Sequence, residues 1–256
     1  MTQGSKSVRR SNSIPGRFSR FILNLFGNRP PAQIGVIVIG LNILVIAAAL
    51  LLPPARESPM YYFKGPRLIS FMSLVQLIVI AALAWQVYLE RLAHSEETLE
   101  DSRGPHSRHL WLVICLGFFF MAVDEITAVH LYLDRAISAF GTHTGRIHGI
   151  TVSFYSIGAI GVLIFFRREF VTFRRSWLPF AAAFFCLVVA IAFDSMVIYK
   201  VEPWLPEFCD IFLSRSGRGI TEESLELFSE GFFITALYTS AVEARRIGGN
   251  DLANSN

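Results

Sequence analysis

Two adjacent carboxylates, Asp124 and Glu125, and a histidine, His130, interrupt a run from Phe118 onward that is otherwise almost entirely apolar. An ionised side chain at membrane depth costs at least ~2.5 kcal/mol on the mildest scale, so such residues imply either chemistry or a paired polar network. Four more residues of the same kind fall in or beside apolar runs: His148, Asp194, Glu226 and Glu230. Carboxylate and imidazole together suit zinc, iron or manganese. The candidate ligands for a divalent metal are therefore Glu125, His130, His148, Asp194, Glu226 and Glu230. Glu125 and His130 are also the candidate catalytic pair, able to serve as general base or acid. The sequence contains no HExxH, no ExxH and no dense histidine box, so the expectation rests on convergence and not on a motif.

Spacing decides which of these side chains can meet. Glu223, Glu226 and Glu230 stand at i, i+3 and i+7, which is one face of a helix. Three carboxylates on one face repel each other unless a proton or a cation lies between them. Asp124 and Glu125 point about 100° apart on a helix, and Glu125 and His130 about 140°. A regular helix cannot turn all three toward one point, and Glu125 is the first choice, followed by His130.

Each residue also has a plainer reading. Thr221 is a plausible N-cap with Glu222 and Glu223 in the first turn. Asp194 could pair with Lys200, Glu226 and Glu230 with Arg146 or His148, and Asp124 and Glu125 could form a structural hydrogen-bonded cluster. His143 reads as a surface residue of a polar loop.

The elements that must position these groups are membrane helices. The chain has 256 residues, 53% hydrophobic and 17% charged, against about 25% charged in soluble domains. Six apolar runs lie near residues 32–52, 68–89, 110–133, 147–166, 177–199 and 221–241. Each is about long enough to cross a ~30 Å hydrocarbon layer as a helix. The expected fold is all-α: a bundle of six transmembrane helices over residues 32–246, with a basic tail at 1–31 and a short polar tail at 247–256. Within the first tail, apolar residues at 18, 21, 22, 25 and 26 share a helical face. Residues 17–26 therefore read as a basic amphipathic helix on an anionic cytoplasmic leaflet, with Gly27 as its stop. The partner is the lipid bilayer; nucleic acid is not expected. Met60 to Phe63 read as an interfacial aromatic belt, 90–108 as a solvated loop, 204–212 as an interfacial helix, and 214–219 as a flexible turn. Cys115, Cys186 and Cys209 are far apart without a CxxC, which argues against a disulfide framework or a zinc knuckle.

Threading six spans places fifteen Lys and Arg residues on the side of the termini and eight on the other. By the positive-inside rule both termini are cytoplasmic, in a bacterial inner membrane. At ~1.5 Å per residue, Glu125, His130, His148, Asp194, Glu226 and Glu230 then all lie in the outer half. The expected function is an outward-facing acidic and histidine pocket. It would act as a metal site on a lipid-like or small periplasmic substrate. A non-enzymatic membrane subunit with a structural polar network is the first alternative. A proton- or cation-coupled transporter is the second, disfavoured because the inner half holds few ionisable residues.

Overall fold

The computed structural model describes residues 26–27, 29–52, 60–63, 67–95, 108–129, 132–133, 136, 157–158, 161–162, 164–196 and 215–254. Within these the chain is helical and carries no strand. The elements are α1 (Pro31–Leu51), α2 (Leu68–Ser95), α3 (His109–Thr127), α4 (Arg167–Thr172), a 3-10 turn (Arg174–Ser176), α5 (Trp177–Met196) and α6 (Arg215–Asn254).

Four of the expected spans are helices long and apolar enough to cross a membrane: Pro31–Leu51, Leu68–Ala93, His109–Thr127 and Arg174–Phe193. Their apolar side chains remain largely uncovered, Val36 at 74% and Leu178 at 80% exposure. Exposed apolar surface on this scale needs a nonaqueous solvent. The protein is thus a multi-pass membrane protein by the character of its helices. The expected span at 147–166 lies mostly outside the described residues.

The expected sixth span is part of α6, a 40-residue helix. It packs against α1, α2 and α5. From Leu227 to Ala244 most of its residues are buried by those neighbours, so this stretch faces protein and not lipid. That is why it can carry Ser229, Glu230, Thr235, Thr239 and Ser240, and the helix is not among those apolar enough to span. Ser229 ties it to α5 by donating to the Ala183 carbonyl at 2.9 Å.

Several boundaries differ from the sequence reading. The helix of α6 begins at Arg215, where a flexible turn was expected. At Gly219 a Cβ would come within 2.5 Å of Cε at the flexible end of the Met60 side chain. Thr221 is consequently inside the helix and not an N-cap; its hydroxyl donates to the Gly217 carbonyl at 2.8 Å. Helix α2 runs on to Ser95, into the expected loop, because Gln86, Glu90 and Arg91 find partners there. Helix α3 stops at Thr127, short of Leu133, with Ala128 in the left-handed region at φ 51°. The expected belt at Met60–Phe63 turns partly inward: Phe63 is fully buried with Ala49, Ile69 and Leu227, while Arg67 lies over the exposed Tyr61 ring at 3.8 Å.

Of the expected amphipathic helix 17–26 only Phe26 is described. It stacks edge-on against Tyr238 at 5.4 Å. Gly27 adopts φ 62°, as a helix stop requires. The Tyr238 hydroxyl is shared between the carbonyls of Gly27 (3.0 Å) and Arg29 (2.9 Å). This end of the tail is therefore anchored to the helical core.

Candidate functional site

A chain of amides crosses the seam between α1, α2 and α6. Asn42 is fully buried on α1 and donates from Nδ2 to the Leu227 carbonyl of α6 at 2.7 Å. That bond fixes which way the amide points. Its Oδ1 then accepts from Gln76 Nε2 of α2 at 2.6 Å, which leaves Gln76 Oε1 buried without a donor. The helices approach closely because α6 has Gly231 at this level. A Cβ there would sit 2.9 Å from the Asn42 side-chain nitrogen.

One turn from each of these residues comes the acidic part. Ser73, three residues before Gln76, donates its hydroxyl to Glu230 Oε1 at 2.5 Å. Glu230, three residues after Leu227, is only 8% exposed, and its Oε2 is buried with no hydrogen-bond partner. The surrounding charges have the same sign. Glu226 and Glu125 act on Glu230, and Glu226, Glu222, Glu125 and Glu230 act on Glu223. Among the described residues, every neighbouring charge acting on these two glutamates is another carboxylate. Glu125 of α3 therefore lies within electrostatic range of Glu223 and Glu230 of α6, and Ser73, Gln76 and Asn42 line the adjoining seam.

On α3, Asp124 is buried at 9% exposure whereas Glu125 is exposed. It is nevertheless Glu125 whose charge reaches the α6 glutamates. The end of α3 at Thr127 removes the premise that Glu125 and His130 share one regular helix. His130 and His148 lie outside the described residues, and so does the side chain of Asp194, whose backbone belongs to α5. Among the described residues no three His, Cys, Asp or Glu side chains are grouped tightly enough to hold a metal ion. The four glutamates are close enough to repel but do not by themselves form a ligand set.

A second charged site lies at the other end of the bundle. Arg91 of α2 grips Glu169 of α4 with two bonds, Nε to Oε1 at 2.9 Å and Nη2 to Oε2 at 3.2 Å. Trp111 of α3 adds an Nε1 donor to Oε1 at 3.1 Å. Its ring packs edge-on against Phe173 at 5.0 Å. Both charged side chains are buried, at 9% and 1% exposure. Here both carboxylate oxygens have donors and the charges cancel.

A family model described as "Domain of unknown function (DUF8692)" matches residues 32–241. The chain belongs to the DUF8692 family. Comparison with curated proteins and with solved structures finds no match. The matched region runs from the start of α1 to the buried part of α6, so both charged sites lie within the DUF8692 domain.

Sequence reasoning missed Asn42, Ser73 and Gln76, which line the acidic seam of this DUF8692 protein. A signal was present: Asn42 and Gln76 are the amides placed well inside otherwise apolar runs. It also missed the Arg91–Glu169–Trp111 group, since Arg91 and Glu169 belong to stretches that read as solvated and basic.

Proposed function

We propose that this protein binds a cation in an acidic chamber set in one half of a six-span bundle. The observation that carries the reading is the surplus of buried acceptors at the α2–α6 seam. Glu230 Oε2 and Gln76 Oε1 are buried without a donor, and Glu125, Glu223 and Glu226 add negative charge around them. Buried acceptors and carboxylates are retained when something positive or a donor fills the space between them.

The chamber opens away from the cytosol, since the positive-inside bias puts both termini in the cytoplasm of a bacterial inner membrane. A divalent metal, zinc, iron or manganese, is the cation whose chemistry matches the donor types. Glu125, Glu226 and Glu230 are the carboxylate ligands, and His130, His148 and Asp194 come from neighbouring segments to complete the set. Such a metal would polarise water or a carbonyl of a lipid-like or small periplasmic substrate, with Glu125 or His130 as general base.

The amide chain Asn42–Gln76 favours a second reading, in which the polar seam is a structural clamp of a non-enzymatic membrane subunit. Elemental analysis of detergent-purified protein separates the two. Stoichiometric metal that is lost in Glu226→Ala supports the chamber. Metal-free protein in which Glu226→Ala lowers only the melting temperature supports the clamp.

A further inference from the structure

Helices α1, α5 and α6 leave an open groove of about 800 Å³, with its mouth at the end of the bundle away from the acidic seam. Its walls are apolar: Gly35, Ile39, Gly40 and Ile43 of α1, Leu178 and Ala182 of α5, and Phe232 of α6. Thr235 and Thr239 also line it, but their hydroxyls are already used. Thr235 donates to the Gly231 carbonyl at 2.9 Å and Thr239 to the Thr235 carbonyl at 2.7 Å. The walls therefore recognise a hydrocarbon and not a polar solute.

The mouth is different. Arg175, Glu243 and Arg246 line it together, and both arginines are exposed. Both also act electrostatically on Glu243. Two guanidiniums against one carboxylate leave one positive charge. From Pro31 at the mouth to Ile43 at the far end, α1 advances by about 18 Å, close to the ~15 Å of one leaflet of a bilayer. The groove is thus as long as an acyl chain's own layer and carries a cationic end at headgroup level.

We propose that this groove binds one monoanionic phospholipid of the phosphatidylglycerol type, with an acyl chain along Gly35–Ile43 and its phosphate between Arg175 and Arg246. A single phosphodiester charge matches the surplus at the mouth, and lipid is the solvent that the exposed faces of α1 and α5 meet. A Cβ at Gly40 would meet nothing within 4 Å. Gly40→Leu therefore fills the groove without disturbing the contacts of α1, and it tests the walls independently of the mouth.

The experiment uses full-length protein in detergent, titrated with phosphatidylglycerol or phosphatidylcholine. Thermal stability and native mass spectrometry are read in parallel. The expected result is one retained phosphatidylglycerol per chain and a rise in melting temperature that phosphatidylcholine does not produce. In Arg175→Gln/Arg246→Gln the apparent affinity falls roughly 30-fold, from two lost basic contacts. Gly40→Leu abolishes retention while leaving the lipid-free melting temperature unchanged or raised. Equal shifts with both lipids, or selectivity that survives the double arginine variant, would overturn the proposal. So would a detergent-stable dimer that Gly40→Leu dissociates, because the groove would then hold a second copy of the chain.

Discussion

The two charged sites of this bundle invert each other. Around Glu169 a guanidinium and an indole N–H satisfy a carboxylate from two other helices, and the charge is neutralised on the spot. Around Glu230 a single hydroxyl serves one oxygen, the other has no partner, and the nearby charges repel. A carboxylate buried with its counter-charge holds segments together. A carboxylate buried with its own kind leaves binding capacity unspent. The first site fixes α2, α3 and α4 to one another; the second is where the proposed cation would be held.

The largest effect should come from breaking the matched site. Glu169→Ala leaves Arg91 buried without a partner and should cost about 3–5 kcal/mol. Chemical unfolding in mixed micelles measures it; a loss below ~1 kcal/mol would mean that the pair is not buried as described. Next, Gly231→Leu drives a side chain into Asn42, Ile39 and Val38, where even a Cβ would be crowded at 2.9, 3.1 and 3.2 Å. It should cost about 1–3 kcal/mol as overpacking and also abolish cation binding at the neighbouring seam. Tyr238→Phe removes the hydroxyl bond to Gly27 and Arg29 and should cost about 1 kcal/mol. Limited proteolysis within the first thirty residues should accelerate in step.

The smallest effect on stability is also the sharpest test of the comparison. Glu230→Gln keeps an oxygen for Ser73 and removes one of the repelling charges. Stability should be unchanged, or higher by up to ~1 kcal/mol, while bound cation is lost. A Glu230→Gln variant as unstable as Glu169→Ala would make the two sites equivalent, and the acidic seam would be structural.

Much of the fold was legible in the chain because the membrane imposes a simple rule: apolar runs of about twenty residues become helices. The starts of α1 and α5 follow from it. The rule fails where protein replaces lipid as the solvent. The run at 221–241 reads as an ordinary span, yet within α6 it is packed against α1, α2 and α5 and is not among the helices apolar enough to cross a membrane. It fails too at helix ends. Nothing in Ala128 foretells the left-handed turn that stops α3 before His130.

For the site, the i, i+3, i+7 spacing of Glu223, Glu226 and Glu230 placed three carboxylates on one face, and an apolar setting for Glu125 marked it as unusual. These are properties of single segments, so local sequence determines them. Which helices face each other is a property of packing between distant segments. Only the tertiary structure could set Ser73 against Glu230 across 157 residues, or Asn42 against Leu227 across 185. Only it could turn Glu169, from a stretch that reads as a basic loop, into the buried partner of Arg91. A side chain's cost is written in its chemistry, whereas the group that meets that cost comes from another helix.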